Sequence, residues 1–298
     1  MFTGCGTALV TPFRRDQSLD EETLRKLVRR QIESGINFLV PCGTTGESPT
    51  LTHAEHLRVV EITLEEAKGS VPVVAGAGGY NTREVVELAC ELERMGVDGV
   101  LSVTPYYNKP SPDGLYQHYR AIASAIHLPI IVYSIQGRTG INVEPATLAR
   151  LAEIENIVGV KEASGNIAQM ANILHLLPPA FIVLCGDDAI TIPLMALGGK
   201  GVISVVSNQI PGEMTRLAQS CLQGDFAAAR QLQAKYLPLM NVNFIEANPI
   251  PVKAGMAMMG LLEPVYRLPM CPASDASLAR IEKVLDSVGL LRGVRVAS

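Results

Sequence analysis

The sequence predicts an α/β fold, a closed (β/α)8 barrel carrying a small carboxy-terminal helical appendage. Two observations point there. Eight short β-rich runs recur with amphipathic stretches between them, at intervals of about 20 to 35 residues, the length of one βα unit. No G-x-G-x-x-G fingerprint follows the first run, which weighs against the alternative of an open, doubly wound sheet.

The elements follow in order. The first strand is expected at Gly6–Val10, and the helical period of Glu21–Ile32 comes after a polar entry. Phe38–Pro41 and Val71–Ala75 read as the second and third strands, and Arg83–Met95 as another clear helix. Gly99–Val103, Ile130–Tyr133, Ile157–Lys161, Phe181–Leu184 and Gly201–Val205 complete the eight. Helical stretches then fall near Gly212–Leu222, Asp225–Met240, Pro251–Met259 and Ser274–Val288. The division expected is a catalytic barrel over residues 1–224 and a helical region over 225–298.

Composition bounds the class. With 48% hydrophobic and 18% charged residues among 298, the chain has ample material for a large core. A net charge of −4 argues against nucleic acid as a partner. No uncharged apolar run reaches membrane-span length, and Met1-Phe2-Thr3-Gly4-Cys5 lacks the features of a signal peptide, so no membrane partner and a cytoplasmic location are expected. The six cysteines show no C-x-x-C spacing, which leaves buried or idle thiols rather than a zinc or redox site.

In such a barrel, reacting groups sit at the carboxy ends of strands and in the loops that follow. The second strand opens into Gly43-Thr44-Thr45-Gly46-Glu47-Ser48 and the fourth into Thr104-Pro105-Tyr106-Tyr107-Asn108-Lys109-Pro110. The fifth ends on Tyr133 with Arg138 shortly after, the sixth on Lys161, and the seventh gives Gly186-Asp187-Asp188. An ordinary lysine ionises near pH ~10.4, and desolvation frees the amine to act as a Schiff-base nucleophile. Alone, Lys161 also fits a lysine that closes a strand and snorkels to a carboxylate. Tyr133 and Tyr107 suit proton transfer, Thr44 and Thr45 a nest for a small carboxylate, and Arg138 a second carboxylate. Each has a plainer reading as a core phenol, a loop aromatic, a turn or a surface charge; together on one rim they point to imine chemistry.

These residues resemble the pyruvate-dependent class I lyase family from Gly6-Thr7-Ala8 to Arg267-Leu268-Pro269. The matching motifs are Gly43–Glu47, Thr104–Pro110, Arg138-Thr139-Gly140, Gly159-Val160-Lys161-Glu162 and Asn248-Pro249-Ile250-Pro251-Val252-Lys253. The resemblance implies that Lys161 forms an imine with pyruvate and that Tyr133, Thr44 and Tyr107 relay protons, Tyr107 from a neighbouring subunit. Thr45 and Ile203 would hold pyruvate through backbone groups, Arg138 would bind the carboxylate of aspartate semialdehyde, and Gly186 is a further substrate-binding position. It implies no metal or organic cofactor and a homotetramer built as a dimer of dimers. The alternatives are a sibling aldolase of N-acetylneuraminate or 2-keto-3-deoxy sugar acids, and a non-catalytic keto-acid-binding barrel.

Two departures stand out. The family usually has Tyr-Asn-x-Pro before the arginine, whereas this chain has Tyr133-Ser134-Ile135-Gln136-Gly137-Arg138, and the loop is expected to be less constrained. Members bind inhibitory lysine at a subunit interface. Ser48, His53, His56, Glu84 and Tyr106 match that site, but Tyr80 stands where an asparagine is usual, with Asn81 beside it. His53 and His56 also fit ordinary polar positions at a helix start. Weak or absent inhibition is expected.

Overall fold

The computed structural model describes residues 2–291. Eight parallel strands, β1 (Gly4–Ala8), β2 (Phe38–Val40), β3 (Val74–Gly76), β4 (Gly99–Val103), β5 (Ile130–Ser134), β6 (Ile157–Glu162), β7 (Ile182–Cys185) and β8 (Gly201–Ser204), run in the order β2-β1-β8-β7-β6-β5-β4-β3. A parallel bridge between Leu39 and Val73 joins the two ends of that series, so the sheet is a barrel of the TIM type. The helices between strands are α1 (Glu21–Glu33), α2 (His53–Ala67), α3 (Thr82–Met95), α4 (Pro112–Ala125), α5 (Gln136–Thr139), α6 (Pro145–Leu151), α7 (Ile167–Leu176) and α8 (Thr191–Ala196). After β8 come α9 (Pro211–Leu222), α10 (Phe226–Val242), α11 (Ile250–Met258) and α12 (Asp275–Ser287). Among the described residues no helix is long and apolar enough to cross a membrane.

Local chemistry sets the ends of these elements. Asp20 caps α1, whose Leu24, Leu27, Val28 and Gln31 form one buried stripe at helical spacing. Thr52 and Glu55 form a reciprocal capping box at the start of α2. Asn81 caps α3, and Gly96 ends it in the left-handed conformation that glycine adopts without cost to a side chain. All eight strands form where expected, but only β4 keeps its expected limits; β2, β5, β6 and β8 shift by one residue at one end, and β1, β3 and β7 shift at both. β1 starts at Gly4, where it pairs with Gly201, and stops before Val10, whose N–H is taken by the Asn208 side chain. β3 starts at Val74 because Val73 supplies the closing bridge.

The apolar side chains divide into two layers. Phe38, Leu101, Ile131, Leu184 and Ile203 pack inside the barrel with Phe2, while a larger cluster fills the space between strands and helices. Gly6 is required because a methyl group there would overlap the Phe38 ring.

The helical region expected over 225–298 reaches the barrel rim through α11, and residues 292–298 lie outside the described residues. From α11, the wholly buried Lys253 ammonium reaches Glu47 Oε1 at 2.6 Å and donates to the carbonyls of Thr11 at 3.1 Å and Val265 at 2.7 Å. The rings of Phe13 and Tyr266 flank it at 4.6 and 5.2 Å. Removing one partner of such a pair strands the other charge in the core. Lys253→Met is therefore expected to lower unfolding free energy by about 3–5 kcal/mol, whereas Glu47→Gln with Lys253→Met recovers most of that loss. Urea unfolding of the two variants beside the unaltered protein measures both.

Candidate active site

Side chains alternate across a strand, so neighbours on β5 and β6 face opposite layers. Tyr133 pairs with Lys161 in register, and Ser134 with Glu162. Tyr133 belongs to the inner layer, and Lys161 places its Nζ 4.2 Å from the Tyr133 ring centroid. Lys161 is 5% exposed, at the rim end of the barrel interior. Its facing depends on an irregularity lower in the strand. Ile130 pairs with Ile157 but Ile131 with Gly159, leaving Val158 as an extra residue. Without that bulge, the two strands would meet one residue out of step above it. Gly186, at the end of β7, leaves room for the lysine stem: a methyl group there would press on Lys161 Cε and Ala163.

The loop after β2 brings Thr44 and Thr45 to the same rim. It leaves the barrel through Cys42 and closes on Glu47, both in the left-handed conformation. Gly76 lets β3 approach this loop, since any side chain would strike the Cys42 carbonyl. Thr44 faces a cavity of about 320 Å³ that it shares with Tyr133, Arg138 and Tyr106. Thr45 is buried and its hydroxyl accepts a hydrogen bond from Asn248 Nδ2 at 3.0 Å. Ile203 lies wholly buried in the inner layer.

The segment that presents Arg138 is more ordered than its sequence suggests. Residues Gln136–Thr139 form the single helical turn α5, closed by Gly140 in the left-handed conformation. The Thr139 hydroxyl shares its one proton between the carbonyls of Ile135 at 3.1 Å and Ile141 at 3.0 Å, and Arg138 donates to the carbonyl of Asn248 at 3.3 Å. Asn248 thus touches both substrate-binding candidates, Thr45 and Arg138. The sequence displayed it in a motif but gave it no task, because contacts 110 and 203 residues away leave no local pattern.

Tyr107 stands apart. It is 92% exposed, with left-handed backbone, and is absent from the cavity lining. The candidate inhibitor residues divide. Ser48, His56 and Tyr106 line the cavity beside Thr44. His56 is buried, its Nε2 lies 2.9 Å from the Gly76 carbonyl, and burial lowers its pKa. His53 is exposed and turns to Glu91 at 2.8 Å. Tyr80 packs edge-on against Tyr106 with ring centroids 5.2 Å apart. Burial first, then the Tyr80 and Glu84 charges, raises the Tyr106 phenol. Asn81 is committed as the cap of α3, its amide donating to Glu84 at 2.7 Å.

A rim of lysine, phenol, hydroxyl and guanidinium groups at the carboxy ends of barrel strands defines the chain as a (β/α)8-barrel enzyme. A sequence profile of the dihydrodipicolinate synthetase family matches residues 1–288. The chain belongs to that family. It is 52% identical over 295 residues to a 4-hydroxy-tetrahydrodipicolinate synthase of Koribacter versatilis, covering 99% of this chain and 98% of the relative. The crystal structure of dihydrodipicolinate synthase from Thermotoga maritima superposes with a TM-score of 0.96 at 45% identity, over 98% of this chain and all of that one (100%). That of the chloride-inhibited dihydrodipicolinate synthase from Acinetobacter baumannii, complexed with pyruvate, has a TM-score of 0.96 at 40% identity, over 97% and 100%.

Beside the site, Asp188 fixes the end of β8. Its Oδ2 accepts the N–H groups of Val205 at 3.1 Å and Val206 at 2.8 Å, while Oδ1 is buried without a partner. Burial pushes its pKa up to about 6, against the opposing hydrogen bonds. The folded value lies above the unfolded one, so ionisation costs stability that is intact below pH ~4 and lost as pH rises through ~6. Asp188→Asn keeps an oxygen for both N–H groups and removes the charge. Its melting temperature relative to the unaltered protein should be higher at pH 8 than at pH 4.5, and thermal unfolding at the two pH values reads the difference.

Proposed function

We propose that this enzyme is a lyase that condenses pyruvate with L-aspartate 4-semialdehyde to give 4-hydroxy-tetrahydrodipicolinate, through an imine on Lys161. The observation that carries the reading is the inward pairing of Lys161 with Tyr133 at the ends of β6 and β5. The names of the relatives favour it over the sugar-acid aldolases and over a non-catalytic barrel.

In this mechanism the Lys161 side-chain nitrogen attacks the keto carbon of pyruvate, and the carbinolamine loses water to give the imine. The imine acts as an electron sink, so a methyl proton leaves and an enamine forms. Its carbon attacks the aldehyde of the second substrate. The substrate's own amine then displaces Lys161 from the imine carbon and closes the ring, leaving one water released overall. Tyr133, Thr44 and Tyr107 move the protons, Thr45 and Ile203 hold pyruvate, and Gly186 adjoins the bound substrate. Arg138 holds the aldehyde's carboxylate through its bidentate fork.

The exposed Tyr107 has no part in its own chain's cavity. It serves the site of a neighbouring subunit in a homotetramer, a dimer of dimers working in the cytoplasm. Catalysis is assigned to residues 1–224, with residues 225–298 as their helical support. Borohydride reduction in the presence of pyruvate should add one pyruvate-derived mass per chain at Lys161. No adduct, or one at Lys109 or Lys253, sinks the assignment. Coupled assays offering each aldehyde in turn, at constant pyruvate, separate the semialdehyde from sugar-derived aldehydes.

Regulation by lysine is expected to be weak or absent. The site formed by Ser48, His53, His56, Tyr80, Glu84 and Tyr106 has a phenol in place of an amide donor. Asn81 cannot substitute while it caps α3. Steady-state assays with added lysine test this; half-inhibition below a millimolar concentration would contradict it.

A further inference from the structure

The outer face of the β5–β6 pair carries polar groups that the proposed chemistry does not use. Ser134 and Glu162 face each other in register there, directly behind Tyr133 and Lys161. Glu162 is completely buried, with no lysine or arginine among its hydrogen-bond partners. Its Oε1 accepts from Gln169 Nε2 at 2.8 Å and its Oε2 from the Ser164 N–H at 3.1 Å. Gln169 and Asn142 form a reciprocal amide pair, with bonds of 2.7 and 3.1 Å. The Ser134 hydroxyl reaches Asn142 Oδ1 at 3.5 Å and accepts the Val143 N–H at 3.2 Å. A continuous hydrogen-bonded chain therefore runs Glu162–Gln169–Asn142–Ser134 and ties the end of β6 to the end of β5 through α7 and the loop before α6.

The placement of that chain matters because of the bulge at Val158. A bulge lengthens one strand relative to its neighbour and leaves the pairing above it to be fixed by other contacts. A slip of one residue would turn Lys161 outward and Glu162 into the site. The amide pair and the two strand-end side chains oppose that slip, since each buried polar atom would lose its partner.

We propose that Glu162, through Gln169, Asn142 and Ser134, is a positioning residue that holds Lys161 against Tyr133 for imine formation. Glu162 touches no reacting atom and acts only through strand register. The inference rests on the imine reading above.

The test is the rate of pyruvate-dependent adduct formation at Lys161, followed by timed cyanoborohydride quenching and mass spectrometry. Glu162→Gln sets two amide donors face to face and should slow imine formation about tenfold, the scale of a small misplacement of the reacting groups. The KM for the aldehyde, held at Arg138, should stay unchanged while kcat falls. A purely structural role would lower thermal stability without this split between kcat and KM. An unaltered rate in Glu162→Gln overturns the inference. Should Glu162→Gln fail to fold, Ser134→Ala breaks the same chain at its far end and should also slow trapping; an unchanged rate there counts against the proposal. Absence of adduct in the unaltered protein would overturn the functional reading and this inference together, whereas a normal adduct with unaffected variants overturns this inference alone.

Discussion

The buried ion pair between Glu47 and Lys253 is the point to which the rim of the barrel is tied. Lys253 has three donors, and all three are used: one on Glu47, one on the β1 loop at Thr11, and one on the carboxy-terminal segment at Val265. Glu47 sits in the left-handed conformation that ends the Thr44–Thr45 turn. Burial lowers the Lys253 pKa, and the adjacent carboxylate opposes that shift. Desolvating both charges offsets much of their attraction, so the pair contributes little net stability compared with apolar groups of the same volume. What it supplies is placement: an ammonium with three fixed acceptors tolerates only one arrangement of the three segments that meet there.

Asn248 extends that arrangement toward the substrate groups. It lies two residues before α11, reaches Thr45 with its side chain, and offers its carbonyl to Arg138. The same helix that inserts Lys253 therefore fixes the distance between the candidate sites for the two substrates. For that reason the carboxy-terminal helices belong to the site's mechanics even though the groups proposed to touch substrate lie on the barrel.

Much of this was legible in the sequence because it is local. Eight strands appear as short apolar runs, and the helix starts are written in Asp20, Thr52 and Asn81 as capping residues. The rim position of Lys161 and Tyr133 follows from strand endings alone. What could not be read was anything set by distant partners. No spacing links Glu47 to Lys253 or Thr45 to Asn248, each about 200 residues apart. The bulge at Val158 is likewise a property of two strands together, and it decides which way Lys161 faces.

The Ser134–Arg138 segment shows how a locally weaker sequence is made rigid by its surroundings. A proline in this loop would restrict the unfolded chain, an effect of about 0.4–1 kcal/mol. Here that restriction is absent, and Gly137 adds freedom. In its place stand a helical turn closed at Gly140, the Thr139 hydroxyl shared between two carbonyls, and the contact from Arg138 to Asn248. Net contributions of about 1 kcal/mol for each hydrogen bond are enough to replace the proline's effect. The restraint differs in kind, however: the turn and the Thr139 contacts lie within the loop, whereas the contact from Arg138 to Asn248 holds only while the segment before α11 is docked. Presentation of Arg138 is thereby coupled to the same carboxy-terminal segment that Lys253 holds in place.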